Sequence, residues 1–471
     1  MLFNSFTFAC LVLATLALYY LPALRRLQKW TLIISSFVFY GAESSQLLLL
    51  LWGSIGINIA SSHLVHTGRK RLCSTYAALG VIANLGLLAF FKYGPLAGRT
   101  FFDPADSIGA FLVQIPLPIG ISFFTFQGIT LLVDTLRIDR GTSGHVLPHE
   151  SLRTHASNTT LYIAFFPQLV AGPIVKAHDF FPQIKPKSLS QIDWSGCFRK
   201  IVGGYFLKMV VADNLRDQTF WIAPPFFEAR ASGDLLVMLF GYSMQIFADF
   251  AGYSLIAIGI AGLFGYVLPD NFNFPYISRS IGEFWRRWHI SLSSFLKEYL
   301  YVPLGGNRRG NIRTYLNLMT VMLLGGLWHG AAWSYMVWGG FHGGALAVER
   351  YASRIVRFPD NAVVNLIRMA VVFLFCTLAW LLFKLPNFSD VIDYVKATFT
   401  NTAIGVDRMM AVLILVYSLP VIVYHWSCLL AERGSKLDAW RERLSPLTYG
   451  AMLFLLLTNS GSPEAFVYFQ F

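Results

Sequence analysis

The chain has 471 residues, of which 55% are hydrophobic and only 13% charged. Soluble domains carry about 25% charged residues, so the composition excludes a soluble enzyme, and repeated long apolar runs point to one polytopic, all-α membrane protein. The net charge of +12 is spread over short clusters between apolar runs. That is the positive-inside pattern, and without a compact basic patch it excludes nucleic acid as a partner.

Residues 1–24 are apolar and are followed, not preceded, by Arg25, Arg26 and Lys29. This reads as a first transmembrane helix with its N-terminus outside, and not as a cleavable signal. Residues 30–42 and 46–65 are two further runs joined by Glu43-Ser44-Ser45, the first short for a span. Arg69-Lys70-Arg71 closes the pair on the side of Arg25 and Arg26. Residues 72–91 cross outward, residues 92–107 read as an outer loop, and residues 108–136 cross back, interrupted by Pro116 and Pro118, to end at Arg137 and Arg140.

Residues 141–157 read as a cytoplasmic segment. The run 159–175 carries Pro167, Gly172 and Pro173, which predicts a broken or re-entrant segment facing protein or a cavity. Residues 176–199 read as a loop. The run 235–266 contains Asp249, and a lone carboxylate there requires an interior partner; a structural hydrogen bond and a catalytic role fit equally. Residues 362–385, 409–430 and 449–457 are later apolar runs, and 431–446 is a charged, cytoplasmic stretch. The five cysteines, Cys10, Cys73, Cys197, Cys376 and Cys428, form no CxxC pair and imply neither a disulfide framework nor a zinc site.

Two histidines stand beside tryptophans in this setting. Residues 283–300, taken as one helix, place Trp285, Trp288, Leu292 and Phe295 on one face with His289, and Arg286, Arg287 and Lys297 on the other, as in a helix lying at an interface. Residues 316–348 are 33 nearly unbroken apolar positions. As one helix they would span roughly 50 Å against a hydrocarbon core of about 30 Å. A break at Gly325, Gly326 and Gly330 is expected, with His329 at it. His342 follows among glycines and reads as a packing histidine. A histidine on an apolar face also fits a core residue bonded to a carbonyl. The reactive alternative is general-base catalysis, which an imidazole suits because it titrates near neutrality. Neither His289 nor His329 belongs to an HxxxH or HExxH pattern, and no GxSxG occurs, so neither a metal site at these histidines nor a nucleophile elbow is expected.

The runs 117–123, 170–174, 270–272, 275–278, 283–293, 299–301, 304–308, Tyr315 with Asn317-Leu318, 325–331 and the terminal Tyr468-Phe469-Gln470-Phe471 together resemble the membrane-bound O-acyltransferase superfamily. They are most similar to its alginate O-acetyltransferase branch. The resemblance implies a single family domain over 1–471, with N-terminal helices 1–140, a catalytic core 141–350 and C-terminal helices 351–471. It implies broken helices around a central tunnel in a bacterial inner membrane. His329 corresponds to the family's essential histidine and His289 to the second histidine of the site. Trp285, Trp288, Trp328, Asp249 and Asn317 are assigned to the substrate path. Arg286 and Arg287, with Arg308 and Arg309, either attract an anionic donor or serve as positive-inside residues. Acetyl-CoA is the implied donor, with no tightly bound cofactor. The implied partners are a periplasmic SGNH-type acetyltransferase, the polysaccharide synthesis and export complex, and membrane lipids. One departure is the run Phe247-Ala248-Asp249-Phe250-Ala251-Gly252-Tyr253, which is closer to the D-alanyl-transferring branch. A transporter with a histidine proton relay would need symmetric broken segments in two halves, and the sequence has none.

Overall fold

The computed structural model describes residues 1–42, 45–103, 106–141, 151–170, 172–356, 358–431 and 436–462. Among them the elements are helices, with no strand. Among the described residues six helices are long and apolar enough to cross a membrane, or seven if one bent pair is counted as a span. The protein is a multi-pass, all-α membrane protein. It forms two compact units, Met1–Ile201 with Ile256–Pro269, and Val202–Leu255 with Asp270–Phe471.

In the first unit the opening apolar stretch does not make one helix. Phe6–Tyr20 stops before Pro22, and the chain resumes as Pro22–Gly41 at a 99° bend. Leu21, held extended ahead of the proline, is the residue that proline bars from the helical region. Lys70–Phe101 runs 32 residues, so the expected outer loop over 92–107 is helical as far as Phe101. A π-helical turn at Ala89–Tyr93 leads into Gly94–Phe101 with Pro95 in its first turn, where a missing N–H costs no hydrogen bond. Lys92, buried in that turn, donates to Ser122 Oγ at 3.2 Å. Asn58 and Asn84 exchange amide hydrogen bonds at 3.0 and 3.1 Å between neighbouring helices, the polar glue that apolar packing in lipid lacks. The proline interruption at 116–118 ends in Gly120, which caps Ile121–Asp139 at φ +79°. The predicted break in 159–175 falls at Phe165, between Leu152–Ala164 and Phe166–Leu169. The freed Phe166 N–H donates to Ser36 Oγ at 3.1 Å.

The second unit holds both tryptophan-flanked histidines. The stretch 283–300 is not one helix: Ile281–Arg287 ends at Trp288, and Ile290–Leu296 starts after His289. The long apolar run does break, but only after His329. Gly310–His329 and Trp333–Ile355 form a hairpin around an extended Gly330. Gly325 and Gly326 stay helical, and Gly326 serves close packing instead: an added Cβ there would stand 2.2 Å from Tyr335 O, and one at Gly339 2.1 Å from Met322 O. Ala362–Lys384, Phe388–Thr400, Arg408–Ala431 and Lys436–Thr458 complete the unit. The last of these makes most of the charged 431–446 stretch helical. Residues 432–435, and the Tyr468–Phe471 run of the resemblance, lie outside the described residues. So do Glu43-Ser44, Ala171 and most of the expected cytoplasmic segment 141–157.

Candidate active site

His289 occupies the single-residue corner between two short helices, at φ 44° and ψ 56°. A residue with a Cβ adopts this left-handed conformation at a cost of about 1–3 kcal/mol, so the surroundings must hold it there. They do. Ile290 N–H donates to Asn271 O at 2.9 Å, Asn273 N–H to Arg287 O at 2.9 Å, and Ser293 N–H to His289 O at 3.0 Å. The Asn271 amide adds three contacts through its Oδ1: Ser291 Oγ at 2.6 Å, Ser291 N–H at 3.3 Å and His289 Nδ1 at 3.3 Å. Its Nδ2 donates to Ser254 Oγ at 3.0 Å. His289 is fully buried, and that burial pushes its imidazole down to about 3. The ring is therefore neutral.

His329 is the last residue of its helix, and the extended Gly330 turns the chain away from it. Gly330 is required here, because a Cβ would lie 2.2 Å from the Tyr335 ring. The His289 and His329 rings are 6.3 Å apart, centre to centre. Trp328 packs on both, 5.8 Å from His289 and 5.1 Å from His329. Trp338 meets His329 edge-on at 5.2 Å, Phe383 at 5.5 Å, and Phe250 meets His289 at 4.6 Å. The wall around both imidazoles is thus aromatic rather than a set of metal ligands. A cavity of about 260 Å³ opens against His329, lined also by Trp285, Ser293, Lys297, Tyr301 and Trp338. His289 is not among its lining residues and sits behind.

The other sequence-predicted residues take different places. Trp285 lines the cavity, and its indole N–H donates to His342 Nδ1 at 3.3 Å. Trp288 stacks on Phe284 at 5.5 Å and packs on Trp380 at 4.9 Å, fully buried beneath the site. Asn317 donates to the carbonyls of Gly306 at 2.9 Å and Leu304 at 3.3 Å, so it holds the Gly305-Gly306 loop. Asp249 has the partner its burial demands: Lys208 Nζ lies 2.9 Å from Asp249 and 2.6 Å from Asp213. Arg287 pairs with Glu283 at 2.8 Å, while Arg286, Arg308 and Arg309 are exposed. Sequence reasoning did not assign Asn271 or Trp338 to the site. Asn271 lies in the Asp270-Asn271-Phe272 run of the resemblance, which could have flagged it. Trp338 carries no motif and reaches His329 only through the hairpin.

Residues 5–385 match the model of the membrane-bound O-acyltransferase (MBOAT) family. The chain belongs to this family. As an MBOAT protein it is an O-acyltransferase. The protein named "Probable alginate O-acetylase AlgI" of Pseudomonas aeruginosa is 36% identical over 401 residues, covering 82% of this MBOAT chain and 72% of its own. The peptidoglycan O-acetyltransferase of Helicobacter pylori is 36% identical over 426 residues, covering 84% and 79%. The teichoic acid D-alanyltransferase of Bacillus subtilis is 26% identical over 371 residues, covering 75% and 89%.

Proposed function

We propose that this enzyme takes acetyl from a thioester donor, acetyl-CoA, on the cytoplasmic side of a bacterial inner membrane and delivers it for O-acetylation of an extracellular polysaccharide. The observation that carries the proposal is the neighbouring His289 and His329, 6.3 Å apart, with a cavity of about 260 Å³ against His329. His329 takes the proton of the attacking hydroxyl as its oxygen bonds to the thioester carbonyl carbon. The tetrahedral adduct then expels the thiolate, which receives that proton. General-base assistance of this kind contributes typically about 10²–10⁴-fold. His289, neutral and buried, orients the reacting groups, and the aromatic wall keeps water out.

Relatives named for acetyl transfer share 35–36% identity with the chain, against 26% and 28% for two D-alanyltransferases, which favours acetyl as the group moved. A small cavity also suits a short acyl chain. A periplasmic SGNH-type transferase would complete delivery to the polymer, and the N-terminus would face the periplasm. The donor is tested by giving the purified protein in nanodiscs acetyl-CoA or a D-alanyl carrier-protein thioester. Turnover of acetyl-CoA alone is expected. Turnover of the D-alanyl thioester alone would overturn the assignment.

A further inference from the structure

We propose that Asn271 is a positioning residue that fixes the tautomer of His289, keeping the proton on Nδ1 and the lone pair on Nε2.

One backbone group decides the orientation of the Asn271 amide. An asparagine amide could face its neighbours either way round, and a serine hydroxyl can donate or accept, so neither decides the orientation. Ser291 N–H decides it, because a backbone N–H only donates. It lies 3.3 Å from the Asn271 side-chain atom that also meets Ser291 Oγ and His289 Nδ1. That atom must be the carbonyl oxygen, and the other end of the amide then donates to Ser254 Oγ, as observed. A carbonyl oxygen only accepts, so the ring nitrogen facing it must bear the hydrogen. In a neutral imidazole the second nitrogen is then an acceptor. Every member of this chain, Ser254, Asn271, His289 and Ser291, is at most 4% exposed, so water does not compete for these bonds. Asn271 comes from the loop before the site, Ser254 from the Ser232–Leu263 helix and Ser291 from the first turn of the Ile290–Leu296 helix, so Asn271 ties the His289 corner to two other stretches of the chain.

The consequence rests on the acyltransferase reading: His289 serves the transfer as a hydrogen-bond acceptor, toward a hydroxyl or a thiol, and not as a donor to the thioester carbonyl. The tautomer itself does not depend on that reading, and the test separates the two. Full-length protein in nanodiscs is labelled with ¹⁵N-histidine, and the His289 signals are assigned by comparison with His289→Gln. A protonated Nδ1 is expected in the wild type and in Asn271→Asp, whose carboxylate still accepts from Nδ1–H and from both Ser291 donors. Asn271→Ala is expected to mix the tautomers and to lower kcat by about 10–100-fold, the size of effect that loss of an orienting partner has at metal-bound histidines, with KM little changed. Asn271→Asp should recover most of that kcat. A wild-type His289 protonated on Nε2 would overturn the proposal, and so would an unchanged tautomer in Asn271→Ala. If Asn271→Ala does not fold, the wild-type and Asn271→Asp spectra decide alone. A protein that turns over no acyl donor yet shows the expected tautomer keeps the positioning role and loses the catalytic one.

Discussion

Asp249, Asp213 and Lys208 are each about 2% exposed or less, and one ammonium serves two carboxylates. A buried ion-paired group of this kind is weak evidence of net stabilisation, but removing the lysine leaves two uncompensated carboxylates and costs about 3–5 kcal/mol, whereas neutralising one aspartate leaves a balanced pair. Lys208→Met is therefore expected to melt well below the wild type in a detergent thermal assay, and Asp249→Asn by less, because its amide can still accept from Lys208. Turnover per folded molecule should stay close to wild type in Asp249→Asn. Normal melting with lost turnover would move Asp249 from the scaffold to the substrate path. At this scale the sequence made the histidines legible, since an imidazole beside tryptophan in apolar chain stands out by composition alone. It also made plain that Asp249 needs a partner. It did not name Lys208, 41 positions earlier, or connect Asn271 with His289, because both pairings are made by tertiary packing and leave no local pattern.

The Gly310–His329 and Trp333–Ile355 hairpin sets the position of His329, and glycine acts in it through space rather than flexibility. An added methyl at Gly339 would overlap Met322 O, whereas one at Gly344 meets nothing within 4 Å. Gly339→Ala is expected to destabilise by about 1–3 kcal/mol through overpacking, and to lower turnover because His329 shifts against Trp338. Gly344→Ala should be neutral, or stabilising by about 0.5–1 kcal/mol, since alanine is the better helix former. Equal melting temperatures for the two variants would contradict this packing role. The length of 316–348 raised the expectation of a break, because 33 helical residues overshoot a bilayer, but length alone does not force one: Ser232–Leu263 runs 32 residues as a single helix. The break at His289 was not legible: residues 283–300 contain neither glycine nor proline, and the apolar periodicity continues through the corner. The helical extension to Phe101 was missed for the opposite reason. Proline and glycine there read as a loop, yet proline is tolerated in a first turn.

For the molecule as a whole, composition and charge clusters were enough to establish an all-α, multi-pass protein, and the motif runs were enough to place it among O-acyltransferases. The two compact units were not legible, because the Ser232–Leu263 helix contributes to both and no linker marks the change. The second unit contains both histidines, the cavity and the aromatic wall, so the proposed chemistry depends on His329 with His289 in support. The most direct measurement is transfer or release of label from acetyl-labelled CoA by the purified protein in nanodiscs, comparing wild type with His329→Ala and His289→Ala at matched folded protein. A loss of about 10²–10⁴-fold is expected for His329→Ala and a substantial but smaller loss for His289→Ala. Undiminished turnover by His329→Ala would contradict it.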